Sequence, residues 1–120
     1  PIVYALGYPE RLKTDLPRFD INNCNELTFE EVDRKKFRNL ALAYMALERG
    51  GNIPCAMNAA NEVAVESFLK GELGFMEMTE LIETIMTDTM FIHKPGIHDL
   101  EETDRESRIN AGMYIEKRKI

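Results

Sequence analysis

Residues 53–73 constrain what this chain can fold into more than any other stretch, above all the run Met57-Asn58-Ala59-Ala60-Asn61-Glu62-Val63-Ala64-Val65. The stretch reads as a helix. Pro54 suits a first turn, where its missing N–H costs nothing. Asn52 stands where a cap belongs, and Gly71 is a natural left-handed stop. Between them apolar residues fall on almost every side: Ala56, Met57, Ala59, Ala60, Val63, Ala64, Val65, Phe68 and Leu69. A helix apolar nearly all round belongs among other helices. The small side chains of Ala59 and Ala60 let a neighbouring backbone come close.

The polar residues of this helix are the unusual part. At helical spacing Asn58 and Glu62 share a face with Val65 and Leu69, and Asn61 shares one with Met57, Ala64 and Phe68. At least some of Asn58, Asn61 and Glu62 are therefore expected at a buried or half-buried seam, where they must find partners. The expected role of this polar seam is structural, tying the helix to neighbouring helices or loops.

The flanking sequence supplies further helices. Residues 33–49 carry Phe37, Leu40, Ala41, Tyr44 and Leu47 at amphipathic spacing, with Leu42, Met45 and Ala46 widening the stripe. Asp33 is the expected cap, and Gly50-Gly51 ends the helix with a turn so short that the next helix should return antiparallel. Residues 75–90 place Met78, Leu81, Ile82, Ile85, Met86 and Met90 on one face and Glu77, Glu80, Glu83 and Asp88 on another. The seven methionines are read as fillers of an irregular core. A last helix is expected from about Thr103, where Thr103-Asp104-Arg105-Glu106 fits a capping box. Its apolar face is thin (Ile109, Gly112, Met113, Ile115), so it should be peripheral, with Gly112 at a close crossing. Lys117, Arg118 and Lys119 complement its dipole.

Upstream the pattern fades. The apolar segment from Pro1 to Leu6 is either a short helix or the end of a strand, closed by Gly7 and Pro9. Residues 10–25 hold Pro17 and the cluster Asn22-Asn23-Cys24-Asn25 without a sustained period. They read as an extended arm, with Leu16, Phe19 and Ile21 spaced to touch a surface. Leu27-Thr28-Phe29 reads as an anchor, and Thr28 with Glu31 fits a capping box for a turn of helix. The expected fold class is all-α: a small four-helix bundle preceded by a short N-terminal apolar segment and an extended arm. The expected division is a stub over 1–9, a linker over 10–32 and the bundle over 33–120.

Composition narrows the function. A net charge of −6 without a basic stripe argues against nucleic acid. No apolar run approaches the roughly 18 residues of a membrane span, and no signal-peptide pattern is present. Cys24 and Cys55 lie in unrelated contexts and read as free thiols of a reducing compartment. His93 and His98 with Asp99 are metal-ligand types, but their spacing across the Pro95-Gly96 turn matches no metal motif. No G-x-G-x-x-G, P-loop, G-x-S-x-G or H-E-x-x-H occurs. No residue is therefore assigned a catalytic, cofactor-binding or metal-binding role.

One resemblance goes further. The run from Met57 to Leu69 resembles the N-A-A-N-E-x-x-V-x-x-F-L signature of the 1-deoxy-D-xylulose 5-phosphate reductoisomerase family. Pro1-Ile2 with Tyr8-Pro9, Leu27-Thr28-Phe29 with Asp33 and Phe37, and Asp99-Leu100 with Asp104 and Arg108 resemble other segments of that family. The resemblance covers essentially the whole chain. It implies the C-terminal part of an enzyme that rearranges 1-deoxy-D-xylulose 5-phosphate and reduces it with NADPH, using Mg or Mn, to 2-C-methyl-D-erythritol 4-phosphate. That reaction belongs to non-mevalonate isoprenoid biosynthesis in the bacterial cytoplasm. It further implies a homodimer whose upstream domains hold the cofactor, metal and phosphate sites, leaving this portion inert alone. The opening Pro1, in place of Met, is read as a sign of something removed upstream. The competing expectation is an autonomous helical interaction module.

Overall fold

Glycines and buried side chains, more than helix propensity, set the element boundaries in the computed structural model, which describes residues 2–17, 19, 20, 22 and 26–118. The chain divides into two units, Pro1–Glu31 and Val32–Ile120.

In the first unit, α1 spans Ile2–Gly7, so the opening apolar segment is a helix, one of its two expected forms. Tyr4 meets Tyr8 edge-on at 5.9 Å and carries the Arg11 guanidinium 4.7 Å above its ring. Ile2, Leu6 and Tyr8 remain exposed. Residues 26–31 form no helix, so the Thr28–Glu31 capping pattern nucleates nothing. Leu27 and Phe29 are exposed, and a cap sustains a helix only where the following turns bury a face. Ile21 and Cys24 lie outside the described residues.

The second unit is the expected four-helix bundle: α2 (Arg38–Arg49), α3 (Ile53–Leu69), α4 (Phe75–Asp88) and α5 (Ile97–Arg118). α3 packs on all three others, and α2 and α5 lie against the α3–α4 pair without meeting each other. Ile53, Ala56, Ala59, Ala60 and Ala64 of α3 have no exposed surface, and Leu42, Ala46, Leu81, Ile82, Ile85 and Met86 close around them. The alanines permit this approach. The inward row of α5 is Thr103, Ser107, Ala111 and Ile115, again mostly small.

Several boundaries differ from expectation. α2 begins at Arg38, because Asp33 caps a separate turn: its Oδ1 accepts the N–H groups of Lys35 at 2.8 Å and Lys36 at 3.1 Å. α3 ends at Leu69. Gly71, at φ +74°, lets its own N–H reach the Phe68 carbonyl and that of Glu72 reach Ser67, both at 2.9 Å. This is a Schellman stop, and it returns Leu73 to the core. α5 starts at Ile97, well before Thr103, because the Asp99 carboxylate accepts the Gly96 N–H at 2.8 Å and caps the end there. Thr103 is buried in mid-helix, and its hydroxyl serves another element.

Three packing expectations also change. Phe37, Leu40, Tyr44 and Leu47, read as the core stripe of α2, are exposed, and Leu42 and Ala46 face inward instead. Met78 and Met86 fill the core, whereas Met45, Met76, Met90 and Met113 are exposed. Ile109 and Met113 also point outward, and a Cβ on Gly112 would meet nothing within 4 Å, so no close crossing occurs there.

Candidate functional site

The sequence directs attention to Asn58, Asn61 and Glu62 on α3. The structure leaves Asn58 and Glu62 exposed and Asn61 half-buried, so two of the three do not occupy a buried seam. They lie one turn apart on the outer flank of a helix whose opposite side is filled by alanines. They are nevertheless engaged. The Asn58 amide donates to Glu62 Oε1 at 3.0 Å, and Arg108 of α5 donates to Glu62 Oε2 at 2.7 Å. Arg108 also grips Asp104, one turn before it on α5, through two bonds of 2.7 and 3.0 Å. The Arg108 hydrogen bond, aided by the Asn58 amide, holds the Glu62 carboxyl below the usual carboxylate range. The same guanidinium lowers Asp104. All these groups are fixed in their ionised forms, which suits a clamp between α3 and α5 and not proton transfer. Asn61 joins Met57, Asn58, Pro54, Ala43 and Leu47 in lining a shallow, mainly apolar groove between α2 and α3.

The buried polar centre lies at the start of α3. Asn52, 1% exposed, makes no cap bond with its side chain. Its Nδ2 donates to the Met90 carbonyl at 2.9 Å and to Thr103 Oγ1 at 3.0 Å, while its Oδ1 accepts the Ile92 N–H at 2.9 Å. The Asn52 N–H itself donates to the Ile92 carbonyl at 3.2 Å. One amide thus joins the start of α3, the segment after α4 and the interior of α5. Gly51 makes the approach possible: it adopts φ +59°, and a Cβ there would lie 2.3 Å from the Ile92 carbonyl oxygen. The sequence marks Asn52 only as a cap. The adjoining Gly50-Gly51 pair is the available signal that a backbone passes close by.

Beside this node lies a polar cleft of about 350 Å³, lined by Asn52, Asp88, Asp99, Glu102, Glu106 and Ser107 among others. Asp99 and Glu102 already serve Gly96 and Arg105. Among the described residues, no group of three or more His, Cys, Asp or Glu side chains is placed to hold a metal ion. His93 packs near the Phe91 ring at 6.2 Å, and Asp99 is the helix cap. Cys55 is a half-buried free thiol, 3.4 Å from the Leu100 carbonyl. Burial pushes its pKa up, away from thiolate chemistry. No described helix is long and apolar enough to cross a membrane.

These features define a helical domain whose polar residues join helices to one another. The model of the family described as DXP reductoisomerase C-terminal domain matches residues 1–110. The chain is 48% identical over 115 residues to the 1-deoxy-D-xylulose 5-phosphate reductoisomerase of Bacteroides fragilis, covering 96% of this chain and 30% of that protein. It is 50% identical over 108 residues to that of Phocaeicola vulgatus, covering 90% and 28%. Among solved structures it is similar to the 1-deoxy-D-xylulose 5-phosphate reductoisomerase from Zymomonas mobilis in complex with NADPH. There the TM-score is 0.79 at 31% identity, over 96% of this chain and 30% of that one. It is similar also to a DOX-P reductoisomerase in complex with magnesium, with TM-score 0.78 at 28% identity, over 99% and 32%. The chain belongs to the DXP reductoisomerase C-terminal domain family. It spans about 30% of the length of the curated relatives it matches.

Proposed function

We propose that this chain is the C-terminal helical domain of a 1-deoxy-D-xylulose 5-phosphate reductoisomerase. The whole enzyme would rearrange and reduce that substrate with NADPH and Mg or Mn to 2-C-methyl-D-erythritol 4-phosphate, as a cytoplasmic homodimer in isoprenoid biosynthesis. The observation that carries the reading is the family match over residues 1–110. Relatives with that name, and solved structures named for NADPH and magnesium complexes, support it. Residues 1–9 would be the end of the central domain, 10–32 the linker and 33–120 the bundle.

Among the described residues no three or more His, Cys, Asp or Glu side chains are grouped to hold a metal ion, and the sequence carries no G-x-G-x-x-G motif. The proposal therefore assigns cofactor and metal binding to the remainder of the enzyme and gives no catalytic role to any residue here. Asn58, Asn61 and Glu62 have a structural role, Glu62 chiefly through Arg108. The test is direct. The complete protein should oxidise NADPH only when both 1-deoxy-D-xylulose 5-phosphate and Mn are supplied. The 120-residue chain should not bind NADPH. A complete protein inert under those conditions, or saturable micromolar NADPH binding by the chain alone, would overturn the reading.

A further inference from the structure

We propose that the outer face of α2, with the adjoining start of α4, is the surface on which the part of the enzyme outside these residues docks; this rests on the functional reading above. α2 is apolar on two opposite faces. Leu42 and Ala46 point into the bundle, at 1% and 2% exposure. At 3.6 residues per turn, Tyr44 lies about half a turn from the direction between them. Leu40 and Leu47 share its side of the helix, and Phe37 immediately precedes α2. Phe37 is 55% and Leu47 73% exposed. A helix apolar on both faces is one packed on both faces, and the bundle covers only one.

The patch extends beyond α2. Phe37 and Leu40 line one groove together with Phe75, Met76 and Thr79 of α4. Phe75 and Met76 are 68% and 72% exposed. Isolated exposed apolar residues are ordinary, whereas a contiguous group spanning two helices marks an interaction surface.

Charge narrows the occupant. On a chain of net charge −6, the run Arg34-Lys35-Lys36 borders this face. Arg34 lies 4.6 Å above the Tyr44 ring, and Lys36 lies 5.6 Å from the Phe37 ring. None of the three forms an ion pair with a described residue. The complementary partner is an apolar surface with carboxylates at its edge. A second copy of this chain fits less well, since a two-fold contact presents the same patch to itself and brings the cations together. The relatives carry most of their length outside the matched region, ample chain to form such a surface.

The test is hydroxyl-radical footprinting of the complete protein beside the 120-residue chain. Tyr44, Phe75 and Met76 should lose reactivity at least several-fold in the complete protein only. Met90 and Met113, exposed elsewhere, should react equally in both. Tyr44→Glu should leave the thermal midpoint of the 120-residue chain unchanged and lower that of the complete protein. Equal reactivity in the two proteins would overturn the proposal. So would protection already present in the shorter chain: if concentration-dependent it indicates a second copy, and if not, a cover within these residues. NADPH-dependent turnover separates the two readings. An active protein with a reactive Tyr44 defeats the docking surface alone, and an inactive one with Tyr44 protected defeats the activity alone.

Discussion

Asn52 and Glu62 both serve α3, and they do opposite things. Asn52 is neutral and buried at the start of the helix, with its donors and acceptor matched to three groups in two other segments, the stretch after α4 and α5. Glu62 is charged and exposed in the middle, joined to Asn58 and Arg108 at the surface. An exposed ion pair exchanges water for a partner of similar quality, so little is gained. A buried amide has no water to return to, and removing it strands its partners. The contrast teaches that the helix with the most conspicuous polar run holds its neighbours through a different polar residue.

The sharpest way to break the contrast is Asn52→Ala. It leaves Thr103 Oγ1 without its donor in a buried bond, and the Ile92 N–H and the Met90 carbonyl without their side-chain partner in partly buried ones; a stranded buried group costs about 1–3 kcal/mol. Chemical denaturation should show a loss of about 1–3 kcal/mol for the buried Thr103 bond, with the two partly buried bonds adding to it. If the variant is as stable as the parent, water has replaced the amide and the node is not a dry one. Next comes Gly51→Ala, which combines a positive φ with a Cβ placed against the Ile92 carbonyl oxygen. Backbone strain alone costs about 1–3 kcal/mol, and Gly50→Ala is the control. Gly50 also has a positive φ, but a Cβ there would meet nothing within 4 Å, so Gly50→Ala reports the backbone cost without the contact to Ile92.

Ala60→Leu probes the alanine side of the same helix. Ala60 has no exposed surface, so the added methylenes must displace neighbours, at a cost of about 1–3 kcal/mol. Thermal unfolding reads this directly. The smallest effect belongs to Glu62. Because Glu62 and Asp104 titrate below their ordinary range in the folded chain, their contribution is present above the unfolded carboxylate value of about 4. It is lost as pH falls through the lower folded values. The thermal midpoint should therefore decline on acidification below about pH 4, and Arg108→Met should flatten that decline. An unchanged slope in Arg108→Met would show that the clamp contributes nothing to the pH dependence.

Much of the fold is legible in the sequence because the signals are local. Gly71 ends α3 as its position implies, and the inward residues of α4 follow from period alone. The start of α5 is not legible, because the Thr103–Glu106 pattern reads the same inside a helix as at its end. The earlier cap depends on Asp99 meeting Gly96. The expected stripe of α2 is apolar but lies on the side away from the bundle, since periodicity shows that a face is apolar and not which face the neighbouring helices take. Of the candidate seam residues, Asn61 is half-buried whereas Asn58 and Glu62 are exposed. Asn58, Asn61 and Glu62 draw notice by standing in an apolar run, yet a helix filled by alanines turns its longer polar side chains outward. Asn52 gives only the faint sign of two preceding glycines.

The placement of that amide bears on how the chain is made. Its partners follow it by 38, 40 and 51 positions, so during synthesis the entrance to α3 stays incomplete until α4 and the first turns of α5 have emerged. Truncations should not lose stability in proportion to the length removed. Products ending before Thr103 would collapse together as a class, whereas trimming the final turn of α5 would leave the junction intact.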